Sequence, residues 1–165
     1  MTREPTGSVL ATLAGHNAWA NELIFAACSE VDSLRMADVD GGYDSVIGIL
    51  NHMVQVENAF FELAHGRAPS WVAIEDVAAL RDECARIDRS YVEYARDLES
   101  AGAMEGGFIV PWFGFEIDRS EGVLQPLTHS HKHRADVSML LPGLGGAGVE
   151  MDLIQWLDES RGGES

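Results

Sequence analysis

Hydrophobic and polar positions in this chain repeat with helical periodicity. The clearest run is Val77, Leu80, Cys84, Ile87, Tyr91, Tyr94 and Leu98, spaced by steps of three and four. At about 100° per residue these side chains share one face, so the segment is read as a helix that buries one side. Gly102 is placed to end it. A first helix is predicted from Ser8 to about Val31, with Leu10, Leu13, Asn17, Ala20, Ile24 and Ala27 along one stripe. The Gly- and Asp-rich "DVDGGYDS" breaks the chain after it. Asp44 is read as the N-cap of a second helix, Ser45 to about Ala64. "HGRAPSW" is a loop around Pro69. A fourth helix capped by Ser120 extends to about Leu141, with Pro126 tolerable only near the first turn. "PGLGGAG" is then a flexible turn, and a short helix from Glu150 to about Glu159 closes the chain.

Between the third and fourth helices lies "GGFIVPWFGFEIDRSEG", aromatic-rich and broken by Pro111 and Gly114. It is read as a short hairpin or a long loop, because proline excludes a central strand. The fold class is therefore all-α: a four-helix bundle with that hairpin or loop before the fourth main helix and a short C-terminal helix. Its length fits one domain over residues 1–165.

Charge narrows the function. Asp and Glu number 27 against 11 Lys and Arg, a formal net charge of −16. Such a surface repels phosphate backbones and anionic membranes, so neither nucleic acid nor membrane is expected as a partner. No apolar run spans a bilayer and the N-terminus has no signal-peptide core, which points to the cytoplasm. Cys28 and Cys84 form no CxxC and are read as small buried hydrophobes.

The chemistry lies in "THSHKHRADVSMLL", residues 128–141. On a helix His133 lies about 40° from His129, whereas His131 lies about 200° away. His129 and His133 are expected to face the core and His131 water. In "LNHMVQVENAFFEL", Ile49, Val56, Ala59 and Leu63 lie within about 60° of His52, which should also point into the bundle. Three inward imidazoles on two helices form a possible cation site. The alternative is a surface pair plus a core histidine bonded to a carbonyl. His65 is read as a favourable charge at a helix C-terminus, and His16 as a packing residue. Asp136 stands as an outer carboxylate, a fourth ligand or an exposed charge. "GLGGAG" lacks the strand and GK[ST] of a phosphate cradle, and Ser130 and Ser138 have no nucleophile setting. The aromatic residues of 108–115 are read as core or interface, or as the wall of an apolar pocket.

The segments "HNAWANELIFAACSEV", "SVIGILNHMVQVENAFFELAHG" and "LTHSHKHRADVSMLLPGLGG" resemble the DinB/YfiT-like superfamily, in register from about residue 10 to 157. The resemblance implies a helical bundle, often dimeric, with a divalent metal on His52, His129 and His133. It departs from the family pattern at Ala135-Asp136 and over 103–122, the latter read as shaping a substrate pocket. It also implies an enzyme that transfers a low-molecular-weight thiol, such as mycothiol, bacillithiol or glutathione, to a small electrophile. Zn²⁺ or Ni²⁺ would activate the thiol, and hydrolysis is the nearest enzymatic alternative. The non-enzymatic alternative is a metal-stabilised binding or structural module. No acid or base outside the metal ligands is assigned.

Overall fold

The computed structural model describes residues 8–32, 43–102, 106–160 and 162. Helix α1 spans Val9–Ser29, α2 Val46–Ala64, α3 Val77–Ser100, α4 Arg119–Leu140 and α5 Leu153–Ser160. Strands β1, Gly107–Val110, and β2, Phe115–Asp118, pair antiparallel between α3 and α4. The four long helices form the expected bundle. Their most extensive contacts join α1 to α3 and α2 to α4.

The apolar stripes become the core. Ile24, Phe25, Leu50, Met53, Leu80, Ile87 and Val137 are all buried. Truncating one such aliphatic side chain to alanine costs roughly 2–5 kcal/mol. Ser8 caps α1 and Asp76 caps α3 by accepting from the N–H groups of Ala11 and Ala79. Gly102 follows α3 in the left-handed region, φ 60°.

Three local expectations are corrected. Ser45, not Asp44, caps α2, accepting from the Gly48 N–H at 3.0 Å. Asp44 instead takes a left-handed φ of 60° and reverses the chain just before the cap. Asp118, not Ser120, begins α4, and Glu121 accepts from the Asp118 N–H at 2.8 Å. Pro126 lies inside α4 rather than in its first turn. About two turns in, it forfeits one backbone hydrogen bond. The break after α1 lies largely in residues 33–42, outside the described residues. "PGLGGAG", read as a flexible turn, begins within a 3₁₀ turn, Leu141–Leu144.

The hairpin alternative holds. Phe113 and Gly114 both donate backbone N–H groups to the Val110 carbonyl, and Gly114 adopts φ 73°, a region glycine enters freely. The turn lifts Trp112 and Phe113 outward, and Trp112 meets Phe60 of α2 edge-on at 5.8 Å. The α2–α3 loop is tied along α2 as well. Asn51 exchanges two hydrogen bonds with the Ile74 backbone, each 2.8 Å, and Asn58 donates to the Ser70 carbonyl at 3.1 Å.

Candidate metal centre

Helices α2 and α4 bring the three histidines together. Nε2 of His52 lies 3.1 Å from Nε2 of His129, and Nε2 of His133 lies 3.2 Å from that same nitrogen. The ring centroids are 4.4, 4.9 and 5.1 Å apart. Two nitrogens bonded to one ion at about 2.0–2.1 Å sit about 2.9 Å apart at right angles and about 3.4 Å apart at the tetrahedral angle. The observed spacings fall between these values.

This donor set cannot satisfy itself. If all three are neutral, one lone pair at the meeting point would serve two N–H donors, or lone pairs would oppose one another. On the far side of each ring, the Nδ1 atoms of His129 and His133 are buried and make no hydrogen bond. Nδ1 of His133 does face the Asp136 carboxylate at 3.3 Å, close but short of good hydrogen-bond geometry. A proton on that Nδ1 leaves the Nε2 lone pair directed at the shared point. Asp136 also accepts from Lys132 at 3.1 Å. Of its three anticipated roles, Asp136 combines two: a partly exposed charge paired with Lys132 and a carboxylate facing His133 from outside the trio.

Electrostatics keep the trio neutral. Burial, then the charges of His133, His52 and Lys132, depresses His129 to about 4. Burial followed by Lys132 lowers His52 as well. Burial, Lys132 and His52 lower His133 against the opposing pull of Asp136. A neutral imidazole is the form a divalent cation requires.

The trio's depth differs from the expectation. His133 is buried, but His52 and His129 are half-buried at the border between core and surface. The deepest face of α2 carries Leu50, Met53, Val54 and Glu57 instead. The face with His52, Val56 and Ala59 opens on a cleft of about 530 Å³. Phe60, Trp71, Trp112 and Phe113 wall it, so segment 103–122 does contribute to a pocket beside the trio.

Tyr43 is a neighbour that periodicity could not reveal. Its ring lies 4.9 Å from that of His52 and meets His133 edge-on at 5.3 Å. It is not part of the cleft wall, so it flanks the trio on another side. Gly48 permits this approach, because a Cβ there would collide with the Tyr43 carbonyl oxygen.

The remaining histidines lie elsewhere. His131 is exposed. Nε2 of His16 donates to the Met151 carbonyl at 2.8 Å, and its ring packs on Trp19 and Trp156. His65 caps the end of α2, where Nδ1 donates to the Phe61 carbonyl at 2.7 Å.

A second buried cluster escaped the sequence reading. Arg134 donates to the side-chain oxygens of Asn17 and Asn21 at 2.6 Å each. Those amides donate in turn to the carboxylates of Glu57 and Asp88. Ser130 donates to Glu57 at 2.5 Å, and the Cys84 thiol donates to Asp88 at 3.5 Å. Glu57, Cys84 and Asp88 also lie close enough to share an ion, yet their acceptor atoms already serve neighbouring donors. Burial, then the charge of Glu57, holds Asp88 far above the usual carboxylate range, at about 8.

Comparison with known proteins places the chain. Among curated proteins none matches it. The family model described as "DinB family" matches residues 1–162, which includes all four long helices and the three converging histidines. The chain belongs to the DinB family.

Proposed function

We propose that His52, His129 and His133 bind one divalent ion, Zn²⁺ or Ni²⁺, and that the protein is a metal-dependent enzyme acting on a small molecule. The reaction we favour is transfer of a low-molecular-weight thiol to an electrophile. The observation that carries this reading is the meeting of three Nε2 atoms, 3.1 and 3.2 Å from one another through His129, at the edge of an apolar cleft. Three protein ligands beside an accessible cleft match a catalytic arrangement, whereas structural zinc is normally closed by four. When bound, the ion would lower the pKa of a thiol or water and so supply a nucleophile near neutral pH.

The chain's own residues prepare that chemistry. Burial keeps the three rings unprotonated. Asp136 biases the tautomer of His133, and the ring of Tyr43 shields the trio beside His52. The cleft leads a small molecule past His52 and His129 between aromatic walls. The net charge of −16 disfavours nucleic acid, and no described helix is long and apolar enough to cross a membrane.

The test is spectroscopic. Protein loaded with Co²⁺ should develop a sulfur-to-cobalt charge-transfer band when titrated with mycothiol, bacillithiol, glutathione or a simple alkyl thiol. A stoichiometric metal that stabilises the fold, with a spectrum no thiol alters, would favour hydrolysis or a non-catalytic module instead.

A further inference from the structure

The cleft beside the trio differs in charge from the rest of the molecule. Acidic residues number 27 and basic residues 11, yet apart from His52 and His129 no ionisable side chain lines this space of about 530 Å³ among the described residues. The remaining polar lining is neutral: Gln55, Asn58, Ser70 and Gln125. Asn58 is committed to the Ser70 carbonyl. The side-chain amides of Gln55 and Gln125 hydrogen-bond to no described residue.

Their positions follow from helix geometry. Gln55 is three residues after His52 and Gln125 four before His129. Residues at these spacings are neighbours on one helix face. Each amide therefore sits one turn from a histidine, and the two stand on opposite walls, one on α2 and one on α4. Between them Phe60, Trp71, Trp112 and Phe113 present aromatic surface, with Trp112 and Phe113 largely exposed.

A ligand bearing a full charge would give up hydration here and, in the metal-free protein, meet no counter-charge from a lining side chain. A flat apolar ligand would bury area at about 25 cal/mol per Å² and gain ring contacts. We infer that the cleft binds an uncharged small molecule with an aromatic body, held by hydrogen bonds from Gln55 and Gln125, its reactive end toward His52 and His129. Only that orientation rests on the reading of the trio as a metal centre; the binding does not.

Matched nitroaromatic probes that quench indole fluorescence test this, because Trp71 and Trp112 lie in the wall. The probes are 4-nitrobenzyl alcohol, 4-nitrobenzoate and 4-nitrobenzylamine, added to chelator-stripped and to Zn²⁺-loaded protein. In stripped protein the alcohol should quench saturably and bind at least tenfold more tightly than the benzoate. Gln125→Glu, an exposed and nearly isosteric change, should move the preference toward the amine. Equal affinity for alcohol and benzoate in stripped protein would overturn the inference, as would no quenching by any probe or a preference that Gln125→Glu leaves unmoved. Neutral-selective quenching that persists while thiols leave the Co²⁺ spectrum unaltered would uphold the cleft and sink the thiol chemistry, so the two failures are separable.

Discussion

Two polar clusters sit on α2 and α4, and they differ in whether their hydrogen bonds close. In the cluster of Asn17, Asn21, Glu57, Asp88, Ser130 and Arg134, donors and acceptors from all four long helices meet one another, with Arg134 Nε left over as an unpaired buried donor. In the cluster of His52, His129 and His133, three like nitrogens meet, and once one N–H pairs with one lone pair the third nitrogen has no separate partner there. The same helix makes both, since Ser130 follows His129 and Arg134 follows His133. A well-matched buried network specifies how helices pack, whereas a poorly matched one leaves polar groups with room for a ligand. Both groups have the residue types of a metal site, and what separates them is how far their own hydrogen bonds match donors to acceptors.

Breaking the closed cluster should have the largest effect. Arg134→Met removes the guanidinium that lies, through Asn17 and Asn21, beside the buried Glu57 and Asp88 pair. Loss of one partner from a buried charged group costs roughly 3–5 kcal/mol. For a chain of this size a melting temperature lower by about 10 °C is expected by differential scanning calorimetry. A change within about 2 °C would mean the network contributes little.

The open cluster should respond in binding rather than stability. Asp136→Asn weakens the group that biases His133, and Asp136 is nearly half exposed. Metal affinity should fall about tenfold by competitive chelator titration, with melting of the metal-free protein nearly unchanged. Unaltered affinity would remove Asp136 from the account.

The smallest effects separate the clusters by pH. The folded-state pKa of each trio histidine is depressed, so below about 6.5 the unfolded chain binds more protons than the folded one. Metal-free protein should therefore lose stability as pH falls from about 6.5 toward about 4, where His129 itself titrates. Metal affinity should decline over the same window, as protons compete for the nitrogens. Asp88 has the opposite sign. Its pKa is raised to about 8 on folding, so its contribution is complete below about 3.8 and is lost as pH rises through about 8. Between pH 6.5 and 8, melting temperatures measured in closely spaced buffers should fall, and Asp88→Asn should flatten that slope. An equal slope in the variant would assign it to another group.

Much of this was legible because both helices and the faces that carry the histidines obey one period. The i, i+4 pair His129 and His133, and His52 among Ile49, Val56 and Ala59, could be placed from spacing alone. The depth of the trio could not, since a stripe gives direction without saying whether core or cleft lies opposite. The closed cluster carried the same kind of signal. Glu57 recurs with Leu50, Met53 and Phe60, Asp88 with Cys84, Tyr91 and Ala95, and Arg134 with Leu127, Ser130 and Val137, all buried together. Reading only apolar residues along those stripes hid it. Tyr43 lay outside any periodic pattern, because its place depends on the left-handed Asp44 and the close approach at Gly48.

The central claim is that imidazoles from two helices share one ion. Its most direct test is metal content per chain by elemental analysis of untagged protein, compared among wild type, His52→Ala and His131→Ala. The account predicts one equivalent in wild type and in His131→Ala, and loss of it in His52→Ala. Full occupancy in His52→Ala would contradict it.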